Sequence, residues 1–286
     1  MTWLSASVFL AANMDVFLFR YLAPFLEEAK RGRTVRHFFF IRYSEDGDHV
    51  RVRIVPGGSF GGAEFVQHFE RLLGAFHQEM GAQPTDRVVE TVYDRSDAYF
   101  GETAESVYSE LLNECASMLA HTLFTQFAKS RAHLMAGLAA ALAFLVEKSN
   151  RDARATEAAM DRSRACALEI LTTFQWRPET VRPETMEQFR AIVQRILPAT
   201  SAALGKDRAA RRMVRLLVRV RQRGPSGDFV ATHSLHLLCN KLGVSPPAEY
   251  HIFEVLCAGR PELPRLLHRG GPDSQRPGLP VPGKLH

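Results

Sequence analysis

The sequence predicts an α+β protein, with a small antiparallel sheet in its N-terminal third packed against helices and a mainly helical remainder. Two observations carry that expectation. Before residue 100, short runs of alternating apolar and polar residues are interleaved with longer amphipathic ones, the pattern of strands and helices in turn. After residue 100, apolar residues recur at three and four positions almost without a break, which is helical periodicity.

In chain order, Trp3–Leu10 reads as a strand and Asp15–Arg31 as a helix. Asn13 stands at the N-cap position of that helix, Val16, Phe19, Leu22 and Leu26 form its buried stripe, and Pro24 is expected to bend it. Thr34–Tyr43 and His49–Pro56 flank a short polar turn and read as a β-hairpin, followed by a helix over Ala63–Met80 and a strand over Arg87–Tyr93. Gly57, Gly58, Gly61 and Gly62 surround Ser59; the spacing fits neither a P-loop nor a dinucleotide fingerprint, so a plain strand-to-helix connection is the simpler reading. Helices follow at Val107–Leu123, Phe124–Glu147 and Ala153–Phe174. WRPETVRPETM is a loop, and Thr185–Ile196 and Lys206–Arg223 are two further helices. Residues 1–270 are expected to form a single catalytic domain, strand-rich to 100 and helical from 101, with 271–286 a disordered tail rich in Pro and Gly.

Composition restricts the function classes. With 46% hydrophobic and 23% charged residues, the 286-residue chain is neither disordered nor fibrous. A net charge of +5 suggests an acidic partner: a peptide, a nucleic acid or a membrane surface. The four cysteines, Cys115, Cys166, Cys239 and Cys257, are far apart and read as buried thiols of a reducing cytoplasm. No basic stretch precedes the first apolar run, and Leu134–Val146 is too short to cross a bilayer, so no membrane partner is expected.

Three stretches carry candidate chemistry. In His49–Pro56 alternate side chains point to opposite faces, so His49, Arg51 and Arg53 share one face and Val50, Val52 and Ile54 the other. Two guanidiniums and an imidazole in a row suit carboxylates or an anionic intermediate; the residues alone leave a solvated sheet face equally open. In KDRAARRMVRLLVRVRQR, Arg208, Arg212, Arg215 and Arg219 form one stripe opposite Ala209, Met213, Leu216, Leu217 and Val220. That arginine face is either solvated or turned to an anionic peptide or nucleic acid, and the scarcity of nearby aromatics weighs against nucleic acid. In HSLHLLCNKLG, His236 and Asn240 are neighbours on a helix face with Gly243 just beyond the helix end. His233, His236 and Cys239 have a spacing open to metal but no fourth ligand nearby, so no metal is expected.

The hairpin residues Phe39, Phe40, Ile41, Arg42 and Tyr43, followed by His49, Arg51 and Arg53, resemble the F-F-I-R-Y and H-x-R-x-R motif of the lantibiotic dehydratase C-terminal, or thiopeptide-type bacteriocin biosynthesis, family. His236, Asn240 and Leu242 keep the spacing of that family's S-L-x-H-M-x-x-N-R-L stretch, with Leu237 for Met and Lys241 for Arg; Ser234 and Leu235 stand directly before the histidine without the spacer. The resemblance makes His236 a proton-transfer candidate. Members that eliminate glutamate from glutamylated Ser or Thr carry Y-x-x-E-x-x-R-Y-G-G. Here Tyr93 and Gly101 align, but Ser96 replaces the Glu and Tyr99 the Arg. Two neutral hydroxyls suit an amide tautomer better than a β-elimination.

That departure resembles the thiopeptide pyridine synthase branch. Its members join two dehydroalanines of a modified peptide by a formal 4+2 aza-cycloaddition, then lose water and the leader peptide. The resemblance implies Ser96, Tyr99, Arg53 and His236 as catalytic residues and His49, Arg51, Arg42 and Asn240 as substrate- or leader-binding ones; the arginine face adds Arg212 and Arg215 for an acidic leader peptide. It implies no cofactor, a dehydrated precursor peptide with its leader as partner, no nucleic acid, a cytoplasmic setting and room for a homodimer. Two alternatives stand beside it: a stand-alone glutamate-elimination subunit of a split dehydratase, with Glu90 near enough to matter, and a non-catalytic scaffold that binds leader peptide.

Overall fold

The computed structural model describes residues 2–44, 46–58, 61–93, 104–173 and 181–258. The expected tail at 271–286 lies outside the described residues. The fold is α+β: a four-stranded antiparallel sheet built from the first third of the chain, then a run of helices.

The strands are β1 (Leu4–Phe9), β2 (Val35–Tyr43), β3 (His49–Pro56) and β4 (Arg87–Thr91), in the order β2-β3-β1-β4. The alternation seen in the sequence fixes the register: Ala6, Val52 and Phe40 align on one face, and Ser5, Arg53 and Phe39 on the other. On the first face Ala6, Val8, Phe38, Phe40, Val50, Val52 and Ile54 are sealed. They join one hydrophobic core with the helix between β1 and β2 and with α3 (Gly62–Met80).

That first helix differs from expectation. It runs as α1 (Met14–Val16), a π-helical turn at Phe17–Leu22, and α2 (Ala23–Arg31). Ala23 N–H donates to Leu18 O, five residues back, and Pro24 falls at the start of α2. A proline there removes no bond that α2 needs, so the widened turn carries the helix past it. Asn13 does not cap with its side chain; it takes the left-handed conformation at φ 57°, and its carbonyl accepts from Val16 and Phe17.

The helical remainder comprises α4 (Ala104–Phe127), α5 (Arg131–Ser149), α6 (Ala153–Thr173), α7 (Pro183–Lys206), α8 (Arg208–Arg221), α9 (Pro225–Lys241) and α10 (Pro246–Ala258). The break expected after Leu123 falls at 128–130 instead, where the Ser130 side chain accepts from His133 N. Helix α7 continues past Pro198, because Val193, Leu197, Thr200, Ser201 and Leu204 form one buried stripe, and packing outweighs the roughly 3 kcal/mol a mid-helix proline costs. Helix α5 is the one described helix long and apolar enough to cross a membrane, and 72% of its apolar window is buried inside the protein. Its alanines and leucines from Ala136 to Val146 are core. Helix α10 was not foreseen.

The free edge of β2 is closed by side chains. Phe40 N–H donates to Ser117 Oγ at 3.3 Å, Arg42 N–H donates to Asn240 Oδ1 at 3.0 Å, Asn240 Nδ2 donates back to Arg42 O at 3.1 Å, and Lys30 Nζ donates to Arg36 O. Helices α4 and α9 are thereby pinned along the edge strand, and its backbone groups are not left to pair with another chain.

Candidate active site

The second sheet face carries the predicted cationic row, and it is a packed layer. Across it run Tyr43–His49–Phe9–Arg87, Ile41–Arg51–Ser7–Val89 and Phe39–Arg53–Ser5–Thr91. His49 is sandwiched between Phe9 and Tyr43, with ring centroids 4.6 and 5.5 Å away. Its Nδ1 donates to Gly47 O at 2.8 Å and its Nε2 accepts from Arg51 Nε at 3.2 Å. Arg51 lies 4.1 Å over Tyr43, and Arg87 4.0 Å over Phe9. The solvated-face reading is corrected at two of three positions: His49 is 2% and Arg53 6% exposed, and only Arg51 is half-buried.

Arg53 is the interior end of that row. Its guanidinium sits 4.4 Å over Tyr93 and 5.5 Å from Phe39, rings which pack edge-on around Trp3. Its Nε is shut off from solvent without a hydrogen-bond partner. Lys241, near the end of α9, is wholly buried; its Nζ donates to Asn113 Oδ1 at 3.0 Å and lies 5.8 Å from the Phe40 ring. Burial, with the charge of Arg53 beside it, pushes the Lys241 amine well below the ordinary lysine range.

His236 lies on another face of α9. Its Nδ1 is 2.7 Å from Oε2 of Glu249 on α10, and Glu249 is fully buried. Burial alone would lower the imidazole; the charge and hydrogen bond of Glu249 outweigh it and raise it above its ordinary value. The carboxylate thus fixes the ring through Nδ1, on a side chain still 16% exposed. His233, 5.6 Å away ring to ring, is pushed down to about 3 by burial, with the charges of His236 and Lys241 adding to it. Lys241 and His236 lie in the C-terminal half of α9, and Asn113, which holds Lys241, stands three residues along α4 from Glu110, which accepts from the Tyr93 hydroxyl under Arg53.

The structure brings other predicted residues to different places. Ser96 and Tyr99 lie outside the described residues. Arg42 and Asn240 are turned on each other and on the fold: besides the backbone clasp, Arg42 pairs with Asp15 and its Nε donates to Lys241 O. With Arg131, which donates to Leu242 O and Gly243 O, it caps the carbonyl end of α9. Gly243 turns there at φ +64°, and a Cβ would stand 2.9 Å from Arg42 Nη1. Arg212 reaches inward to Glu114 Oε2 at 2.9 Å, whereas Arg215 is exposed. Glu114, at 0% exposure, also holds Lys30 and His37. Burial would raise its carboxyl; those three partners hold it below its usual value. Burial pushes the thiols of Cys115 and Cys166 up to about 12. Cys166 and Cys257 are half-buried rather than buried.

Reading residue by residue missed Lys241, Asn113 and Glu249 as site members. Lys241 did carry a signal: a lone cation in the apolar run Leu237–Leu242. Glu249 carried none, because its helix was itself unforeseen.

The comparisons agree on the fold. A description of the lantibiotic biosynthesis dehydratase C-terminal family matches residues 3–258. Among solved structures, the tRNA-dependent lantibiotic dehydratase MibB from Microbispora sp. 107891 superposes with a TM-score of 0.64 at 19% identity, covering 93% of this chain and 28% of MibB. TbtD, the pyridine synthase from thiomuracin biosynthesis, gives 0.57 at 15% identity over 92% of this chain and 98% of its own. TsrL gives 0.61 at 12% identity over 96% and 100%. The chain thus spans little more than a quarter of MibB and nearly all of TbtD and TsrL. No curated protein matches the sequence. With the family pattern covering almost the whole described chain, the protein belongs to the lantibiotic biosynthesis dehydratase C-terminal family.

Proposed function

We propose that this protein is a pyridine synthase of thiopeptide maturation, acting in the cytoplasm on a dehydrated, leader-bearing precursor peptide. One observation carries the choice within the family: the proton-transfer histidine is kept and held by Glu249 at 2.7 Å, while Ser96 and Tyr99 stand where elimination needs Glu and Arg. The likeness to TbtD over its length supports the same reading.

In the proposed reaction the amide joining one dehydroalanine to its neighbour tautomerises to an azadiene, and the other dehydroalanine adds across it. Tyr99 or Ser96 donates a hydrogen bond to that amide. Loss of water and then of the leader each require a proton delivered to the leaving group and one removed from the ring. In this reading His236 Nε2 shuttles both, with Glu249 stabilising the imidazolium between steps. Arg51, the more open of the two, and Arg53 at the interior end of the row hold acidic groups of the peptide. Much of the rate is expected from folding the substrate into a reactive conformer.

The test is a time course with a leader-bearing peptide containing two dehydroalanines, followed by mass spectrometry. Release of intact leader with a macrocyclic product is expected. Tyr99→Phe and His236→Ala should each slow it by about 100-fold, the usual scale for losing a general acid–base or a hydrogen-bond donor. Unchanged rates in both variants would contradict the roles given to them.

A further inference from the structure

Among the described residues the buried arginine and lysine are Arg53 and Lys241, and neither has a carboxylate partner there. Lys241 Nζ bonds only the neutral Asn113 Oδ1. Arg53 has aromatic faces around it and an unpartnered Nε. The acids around them are engaged elsewhere: Glu114 on α4 with Lys30, His37 and Arg212, Glu110 on α4 with Tyr93 Oη, Glu249 on α10 with His236, and Asp15 with Arg42. Further titratable groups on α9 itself are His233, His236 and the buried Cys239, and Tyr93 lies under Arg53.

Two buried positive groups without a counter-ion are costly. The cost is relieved if the amine gives up its proton, and equally if an anion arrives. Arg53, with 6% of its surface exposed, is the outer member, and Lys241, at 0%, the inner one. We propose that Arg53 receives a carboxylate of the bound peptide and that Lys241, held by Asn113 one turn of α4 from the Glu110 that takes the Tyr93 hydroxyl beneath Arg53, takes up a proton as the carboxylate enters. The ligand brings one negative charge and solvent supplies one proton, so the interior keeps its net charge. The ammonium so formed has three donors for Asn113 Oδ1 and its surroundings. Lys241 is in this sense a positioning residue: it acts on the ligand through charge and through Arg53.

The inference rests on the reading of this site as the place where the peptide is held, but its test needs no turnover. Calorimetric titration of the full chain in Tris and in imidazole buffer, which differ in ionisation enthalpy, counts protons taken up per ligand bound. The probes are N-acetylglutamate α-amide, for a side-chain carboxylate, and N-acetylglycine, for a chain-terminal one; the probe that binds identifies the source. Wild type should take up close to one proton per anion bound. Lys241→Arg, permanently charged, should bind the same probe with no proton uptake, and Lys241→Met should lose the uptake and weaken binding by about tenfold or more. A wild-type binding enthalpy independent of buffer, or no binding of either probe, overturns the proposal. Proton-linked binding without macrocycle formation would instead overturn the reaction class and leave this subsite standing.

Discussion

At His236 two effects of opposite sign meet, and the larger is legible in the geometry. Desolvation favours the neutral ring, while Glu249 at 2.7 Å favours the charged one and prevails. Because the folded imidazole titrates above its unfolded value of 6.5, the stability it contributes is complete below that value and is lost as pH rises through the raised one. For the proposed turnover the sign is reversed: if His236 abstracts the first proton it must be neutral, so the rate should fall as pH drops through the raised value. Glu249→Gln removes the acid partner and should move that limb to lower pH, while weakening the protein chiefly on the acid side. A pH–rate profile unmoved by Glu249→Gln would detach the carboxylate from proton transfer.

Another residue-scale expectation concerns Glu114, sealed from solvent and shared by Lys30, His37 and Arg212. Its carboxyl is held below its usual value, so the stability it gives is present above the ordinary carboxylate range and is lost as pH falls through the lowered value. Glu114→Gln should cost about 3 kcal/mol in urea unfolding near neutral pH, and much less in acid. An equal cost at both would show that shape, rather than charge, holds this hub.

Among the elements, the hairpin was the most legible and α9 the most deceptive. Alternation in β3 told which side chains share a face, because strand geometry allows no other reading. It did not tell what covers that face, and so the sequence left a solvated setting open for Arg53 and His49, which are buried in the fold. In α9 the Asn240 of the family motif looked like a ligand-binding amide. It proved to be the clasp on the edge of β2, meeting Arg42 N and O, which a local pattern cannot show because the partner lies far away in the chain. Asn240→Ala should cost about 1–2 kcal/mol for two lost backbone partners and, by reopening the strand edge, should raise aggregation on heating. Wild-type stability and solubility in that variant would contradict the clasp.

Helix ends were misjudged where tertiary packing overrode local signals. The helix expected over Thr185–Ile196 runs on through Pro198, because Thr200, Ser201 and Leu204 beyond it are buried. Helix α10 escaped notice because its Pro246–Pro247 start follows closely on the Gly243 stop. Its loss from the reading hid Glu249.

At the scale of the whole molecule, the sheet and helix α9 divide the labour. One sheet face belongs to the core; the other ends in Arg53, beside the helix that supplies Lys241 and His236. Family membership follows from the match over residues 3–258, and fold from the superpositions. The proposed reaction rests on Ser96 and Tyr99 standing where elimination needs Glu and Arg. The direct measurement is one mass-spectrometric time course on an equimolar mixture of two leader-bearing peptides, one with two dehydroalanines and one glutamylated on serine. The account predicts that the first is consumed, releasing intact leader and a macrocycle, while the glutamylated peptide persists; loss of glutamate from the second with the first untouched would contradict it.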